Sequence, residues 1–287
     1  MKKWMCVFSF LGLMMTGNAA YAFRGPVLTL RQLYGYAELI VVAEVVEVES
    51  IEKRGVYDSI ASLRVKKWIK GKDARTVLPV WFYSYGADPP SAEYPKWETV
   101  LAFLQKDPKH NGMYITTGGA EGCKQTPAVV DAYLLRIEEL KKILPIRFNE
   151  SILRKYTAWL MKCVEEQSTR GEGLEDLIHF RLPKPNENTH YNVQGWQYLT
   201  ENHKQQLVDV IADSSIGNWN EYNPVWHTQK MMLILAKTKK ENPELLEIRK
   251  SYLEAISHPS DPISPQKHKQ LCKEFVDQYQ GLIEDQE

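Results

Sequence analysis

Acids, bases and nucleophiles become chemistry only at spacings that a helical turn, a strand or a tight loop can bring together. In this 287-residue chain one such spacing is Glu175, Asp176 and His179 in GLEDLIHF. Two carboxylates and an imidazole on one short helix could share the acid and base roles of a hydrolase. The same order, acids early and histidine last, also complements a helix dipole. SPQK, residues 264–267, has the S-x-x-K spacing that places a serine beside a lysine on one turn. Ser264 directly before a first-turn proline is also N-cap chemistry, with Lys267 then a solvated neighbour. His227 beside Trp226, and His190 beside Tyr191, could line a groove with the aromatics, and a core or rim role accounts for them as well.

The sequence holds no H-E-x-x-H, no G-x-S-x-G, no G-x-x-x-x-G-K and no calcium-loop pattern. No C-x-x-C pair exists to hold zinc. Beyond residue 22 the cysteines are Cys123, Cys163 and Cys272, an odd set that permits at most one internal bridge. Cys163 falls on an apolar helix stripe with Tyr156, Trp159 and Leu160, as a plain buried thiol would. Cys123, after the glycines of TTGGAEGCKQ, is a candidate staple for a closed sheet. These features point to a non-enzymatic protein with no catalytic residues, no metal site and no cofactor.

What must position any functional residue is set by the remainder of the chain. Residues 1–22 carry Lys2 and Lys3, an apolar run from Trp4 to Met15 and the Ala20-Tyr21-Ala22 ending of a secretory signal peptide. The run is shorter than the ~20 residues a spanning helix needs, and no later stretch approaches that length. Cleavage after Ala22 would start the mature chain at Phe23 and place it in the periplasm or outside the cell. It would remove two lysines and no acid from 36 basic and 36 acidic residues, leaving a net charge near −2. That balance offers no basic excess for nucleic-acid phosphates.

A change of texture near residue 127 divides the mature chain into 23–127 and 128–287. In the first part LTLRQLYGYAE, residues 28–38, reads as a short helix with Leu30, Leu33 and Tyr34 on one face. AELIVVAEVVEVES, residues 37–50, is apolar without alternation to Ala43 and then interspersed with glutamates. This predicts a strand buried at its start and half solvated later, with a bulge where the phase slips between Val45 and Val46. Four further strands are predicted over 59–71, 76–85, 98–106 and 112–119, with Pro79 implying an edge or bulge and DPKHNG a turn. Between the third and fourth lies YSYGADPPSAEYPKW, residues 83–97, a long aromatic loop whose Tyr83, Tyr85, Tyr94 and Trp97 are the candidate binding residues. A rigid connection packed on the end of the sheet is the alternative.

The segments AELIVVAEVVEVE, ASLRVKKWIKGK, KWETVLAFLQKD and MYITTGGAEGC, in that order, resemble exported bacterial domains similar to the inhibitory domain of tissue inhibitors of metalloproteinases and to netrin-like modules. The resemblance covers roughly residues 28–125 and implies an OB-fold barrel. Those inhibitors grip a protease zinc through an N-terminal cysteine, whereas FRGPVLTL starts with Phe23 and no cysteine precedes Cys123 in the mature chain. The usual chelation is therefore not implied here.

After residue 127 apolar residues recur at helical spacing, as in Val130, Tyr133, Leu134, Ile137, Leu140 and Leu144. Asn149 and Ser168 are placed to cap the next two helices, and Thr200 precedes another. Asn223-Pro224, Asn242-Pro243 and Ser264-Pro265 each put a capping side chain before a first-turn proline. Their spacing suits helical pairs of HEAT or armadillo size, roughly 40 to 47 residues, and an irregular bundle is the other arrangement. Residues 155–177 resemble a helical region that follows such barrels in exported bacterial proteins. The expected fold is thus α+β in two domains, a five-stranded OB-like antiparallel β-barrel followed by an all-α domain. The expected function is binding of another envelope or extracellular protein. A protease inhibitor acting through the barrel, and a hydrolase assembled from distant residues such as Asp176 and His179, are the alternatives.

Overall fold

The computed structural model describes residues 28–54, 57–82, 92–144, 150–179, 181–183, 190–192, 195–212, 223–240, 242–256 and 263–284. Residues 1–22, expected to be a signal peptide, the expected start at Phe23, the loop residues Tyr83 and Tyr85 and the expected cap Asn149 lie outside the described residues. The described chain falls into two compact units, residues 37–124 and residues 28–36 with 125–287.

The first unit is a closed barrel. Strands β1 (Leu39–Arg54), β2 (Tyr57–Lys70) and β3 (Val77–Phe82) form an antiparallel meander. Strand β4 (Thr99–Lys106) pairs with β1 on one side and with β5 (Tyr114–Thr116) on the other, and β5 closes on β3. The β3–β5 pairing is parallel, which corrects the expectation of a wholly antiparallel barrel. Five strands around a ring cannot all alternate in direction, so one parallel pair is unavoidable. This order is that of an OB-like barrel. A two-residue strand β6 (Cys123–Lys124) extends the β5 side of β4.

Strand β1 behaves as its composition predicts. Leu39, Ile40 and Val41 are buried whichever way they point, whereas Glu47, Glu49 and Ser50 are exposed. The register against β2 slips between Val45 and Glu47, so Val46 is the extra residue of a bulge. Pro79 lies opposite Ser62, and pairing of β3 with β5 begins only at Val80, so its missing N–H costs no ladder bond on that side. Gly71 ends β2 at φ 67, where an added Cβ would lie 2.4 Å from the Glu38 carbonyl oxygen, so only glycine fits.

The second unit contains helices α1 (Leu30–Tyr36), α2 (Pro127–Ile143), α3 (Glu150–Glu165), α4 (Arg170–His179), α5 (Glu201–Ala212), α6 (Asn223–Thr238), α7 (Pro243–Ile256) and α8 (Pro265–Glu284). A small antiparallel pair, β7 (Arg181–Pro183) and β8 (His190–Asn192), lies between α4 and α5. Helix α1 is counted with the helices rather than with the barrel to which a division near residue 127 would assign it. Its start carries a capping box, in which the Gln32 N–H donates to Thr29 Oγ1 and the Thr29 N–H donates to Gln32 Oε1. Asn242 Oδ1 accepts from the Glu244 and Leu245 N–H groups, and Ser264 Oγ from that of Lys267, as their positions before proline predict. Thr200 Oγ1 accepts from the His203 N–H. Ser168 is not a cap: it sits inside a 3-10 turn whose first donor is satisfied by the Glu166 side chain. Helix α5 touches both α6 and α8 while α6, α7 and α8 pack in sequence, so these helices close on one another instead of contacting only sequence neighbours as in an open solenoid. No helix among the described residues is long and apolar enough to cross a membrane.

Candidate functional site

Of the four aromatics assigned to the 83–97 loop, the described pair take opposite positions. Tyr94 turns inward and is 4 % exposed, edge-on to Phe82 at 5.3 Å, with its hydroxyl 2.6 Å from Thr116 Oγ1. Burial pushes its phenol well above the ordinary range. Tyr94 is therefore a core residue of the barrel, where a binding surface cannot reach it. Beside it Cys123 is not a staple: its thiol donates to the Glu93 carbonyl at 3.3 Å, and burial pushes it up to about 12. Cys163 and Cys272 are likewise buried and take part in no disulfide.

Trp97 is 66 % exposed. Pro95, Lys96, Trp97 and Glu98 form a turn closed by the Glu98 N–H donating to the Pro95 carbonyl at 3.2 Å. Trp97 occupies its third position at φ 71, where glycine or asparagine is the usual residue. A bulky side chain there is a genuine outlier, and such strain gathers at functional positions. Two backbone bonds hold the turn against the bulged strand, Trp97 N–H to the Val45 carbonyl at 2.7 Å and Val45 N–H to the Glu98 carbonyl at 2.9 Å. The Lys96 ammonium lies 5.1 Å from the centre of the indole ring.

The acid and base candidates do not converge. His179 is exposed and lies 3.7 Å from Glu175. Asp176 is buried, accepts from Tyr156 Oη at 2.7 Å and faces the Arg31 guanidinium at 3.4 Å. Burial outweighs these partners and raises the Asp176 carboxyl above its ordinary range, while the carboxylate holds Arg31 more firmly charged. One turn earlier on α4, Glu172 accepts from Tyr133 Oη. The network thus ties α1, α2 and α3 to α4 through buried hydrogen bonds. Lys267, the other half of S-x-x-K, donates its backbone N–H to Ser264 Oγ in the cap.

His227 is half-buried, its ring against Gly171, and burial with Lys230 and Arg170 nearby lowers it to about 4. His268 is fully buried, with Nδ1 2.8 Å from Tyr252 Oη and Nε2 3.3 Å from Cys272 Sγ. Burial lowers it to about 4, so the ring is neutral at pH 7. This Tyr-His-Cys chain, invisible in the linear pattern because Tyr252 lies on α7 and its partners on α8, satisfies polar groups inside the helical unit. Among the described residues no group of three or more His, Cys, Asp or Glu could hold a metal ion. Comparison of the chain with family models, with curated proteins and with solved structures finds no match.

Proposed function

We propose that this is an exported, non-enzymatic binding protein that engages another envelope or extracellular protein through its barrel, with Trp97 as the anchor. The observation that carries this reading is a large aromatic ring held out of the core at a backbone angle that disfavours it. Tryptophan is also enriched among the residues that dominate binding energy at protein interfaces. The similarity of the strand segments to metalloproteinase-inhibitor and netrin-like domains supports a barrel used for protein recognition. The zinc-chelating role is not carried over, because Phe23 stands where those inhibitors have cysteine. The secretory pattern of residues 1–22 supports a partner outside the cytoplasm.

The test is crosslinking capture of the tagged mature protein from the native envelope, compared with Trp97→Ala and read by mass spectrometry. A protein enriched by the wild type and lost with the variant is the expected result. Capture that is indifferent to Trp97, or no specific partner under several crosslinkers, refutes the reading.

A further inference from the structure

Strand β1 outruns its partner on one side. Its ladder with β4 spans Leu39 to Glu44, and the two bonds of Val45 to the Trp97 turn end it. On the other side the ladder with β2 continues to Arg54. Among the described residues no strand pairs with β1 beyond Val45 on the β4 side. The left-handed turn at Trp97 is where, among the described residues, pairing on this side of β1 stops. It diverts the chain upstream of β4 away from β1, and Ala92 and Tyr94 go instead into the barrel core.

The pairing register shows what the edge presents. Val45 directs its N–H and carbonyl toward β4; the bulge at Val46 resets the phase, and Glu47 pairs with Ser62. By alternation, Val48 and Ser50 turn their N–H and carbonyl groups outward along the open edge. Val48 packs its side chain against the barrel core, while Glu47 and Glu49, on the opposite face, are exposed. Among the described residues no cation pairs with Glu47 or Glu49, in contrast to Glu44, which has Arg64 at 3.8 Å and Lys66 at 3.6 Å.

We infer that β1 from Val46 to Glu52 takes up an extended basic peptide segment of the partner, which adds as a strand antiparallel to β1 in the line of β4. This rests on the binding reading and names the chemistry of its partner. Main-chain bonds to Val48 and Ser50 supply the pairing. Lysine or arginine opposite Glu47 and Glu49, alternating with small apolar residues opposite Val48 and Ser50, supplies the selectivity. Trp97 stands where the added strand meets the β4 line and offers its ring to a cation of the segment, as it already does to Lys96.

The probe is a labelled eight-residue peptide of alternating lysine and valine, titrated into the full mature chain by fluorescence anisotropy, with an alternating glutamate and valine peptide as control. The lysine peptide binds about tenfold or more tightly than the control, and the Glu47→Lys, Glu49→Lys double variant inverts that preference. Ser50→Pro, which removes an outward N–H not used in the β2 ladder, abolishes binding with an unchanged circular dichroism spectrum. Amide exchange at Val48 and Ser50 slows in the complex. Equal binding of the two peptides, or binding unaffected by both the proline and the charge-reversal variants, overturns the inference. The charge-reversal variant, confined to exposed side chains, decides the matter if Ser50→Pro fails to fold. Dimerisation that Ser50→Pro abolishes would overturn it in favour of a second copy on this edge. If neither peptide binds while envelope capture still depends on Trp97, the edge inference falls and the binding reading stands. If the lysine peptide binds as described while capture ignores Trp97, the edge stands and the anchor falls.

Discussion

Trp97 occupies the third position of its turn at φ 71, and the two backbone bonds between the turn and Val45 are open to an alanine or a glycine at this position as they are to tryptophan. A residue with a Cβ loses about 1–2 kcal/mol in this region. Glycine escapes that cost but has more freedom to lose on folding, about 0.5–1 kcal/mol. Trp97→Ala keeps the strain and gives up the Lys96 contact, worth about 0.5 kcal/mol at an exposed site. Trp97→Gly gives up the same contact and sheds the strain. Its stability is therefore expected to match or slightly exceed wild type and to exceed Trp97→Ala by about 0.5–1 kcal/mol. The assay is equilibrium urea unfolding of the three proteins, followed by circular dichroism and by the fluorescence of the remaining tryptophans. If Trp97→Ala is as stable as Trp97→Gly, the backbone is not strained there and the argument from strain to function fails. If the glycine variant is the more stable and yet loses its captured partner, tryptophan has been kept at this position at the expense of the fold.

Two further outcomes concern the helical unit. His268 is held near 4 by burial against an ordinary value of 6.5, with Tyr252 and Cys272 facing its two nitrogens. Its neutral form is the folded one, so its contribution is complete above the unfolded value and falls as pH drops from 6.5 toward 4; about 2 kcal/mol is lost by pH 5. His268→Gln shrinks the difference in urea stability between pH 7 and pH 5 by that amount, and an unchanged difference would show that the ring already protonates freely. Asp176 is buried and Arg31 half-buried, so removing the carboxylate takes away the charge that faces the guanidinium. Asp176→Asn, which keeps an oxygen for Tyr156, is expected to lower stability by about 2 kcal/mol in urea unfolding, and an unchanged stability would mean that solvent and the other partners of Arg31 already balance its charge.

Much of the architecture follows from local pattern. The unbroken apolar start of β1, its slip of phase at Val46 and the caps at Asn242 and Ser264 depend on side chains within a few residues of one another. Steric and hydrogen-bonding preferences act there without knowledge of the rest of the fold. The barrel's parallel closure is different, because it follows from strand number around a ring, a property of the whole. So is the place of α1, whose helical spacing was readable in the sequence but whose partner Asp176 is separated from Arg31 by 145 residues. The aromatic loop shows the limit most clearly. Composition marked it as a unit, yet Tyr94 and Trp97, three residues apart, go to core and solvent. That choice is made by one left-handed residue, the bond from Trp97 to Val45 and the space beside Phe82, none of which the sequence of the loop contains. Local preferences act along the chain and can be read there; which polar groups meet, which ring is left outside and which strand edge stays open are settled only when distant segments compete for the same interior.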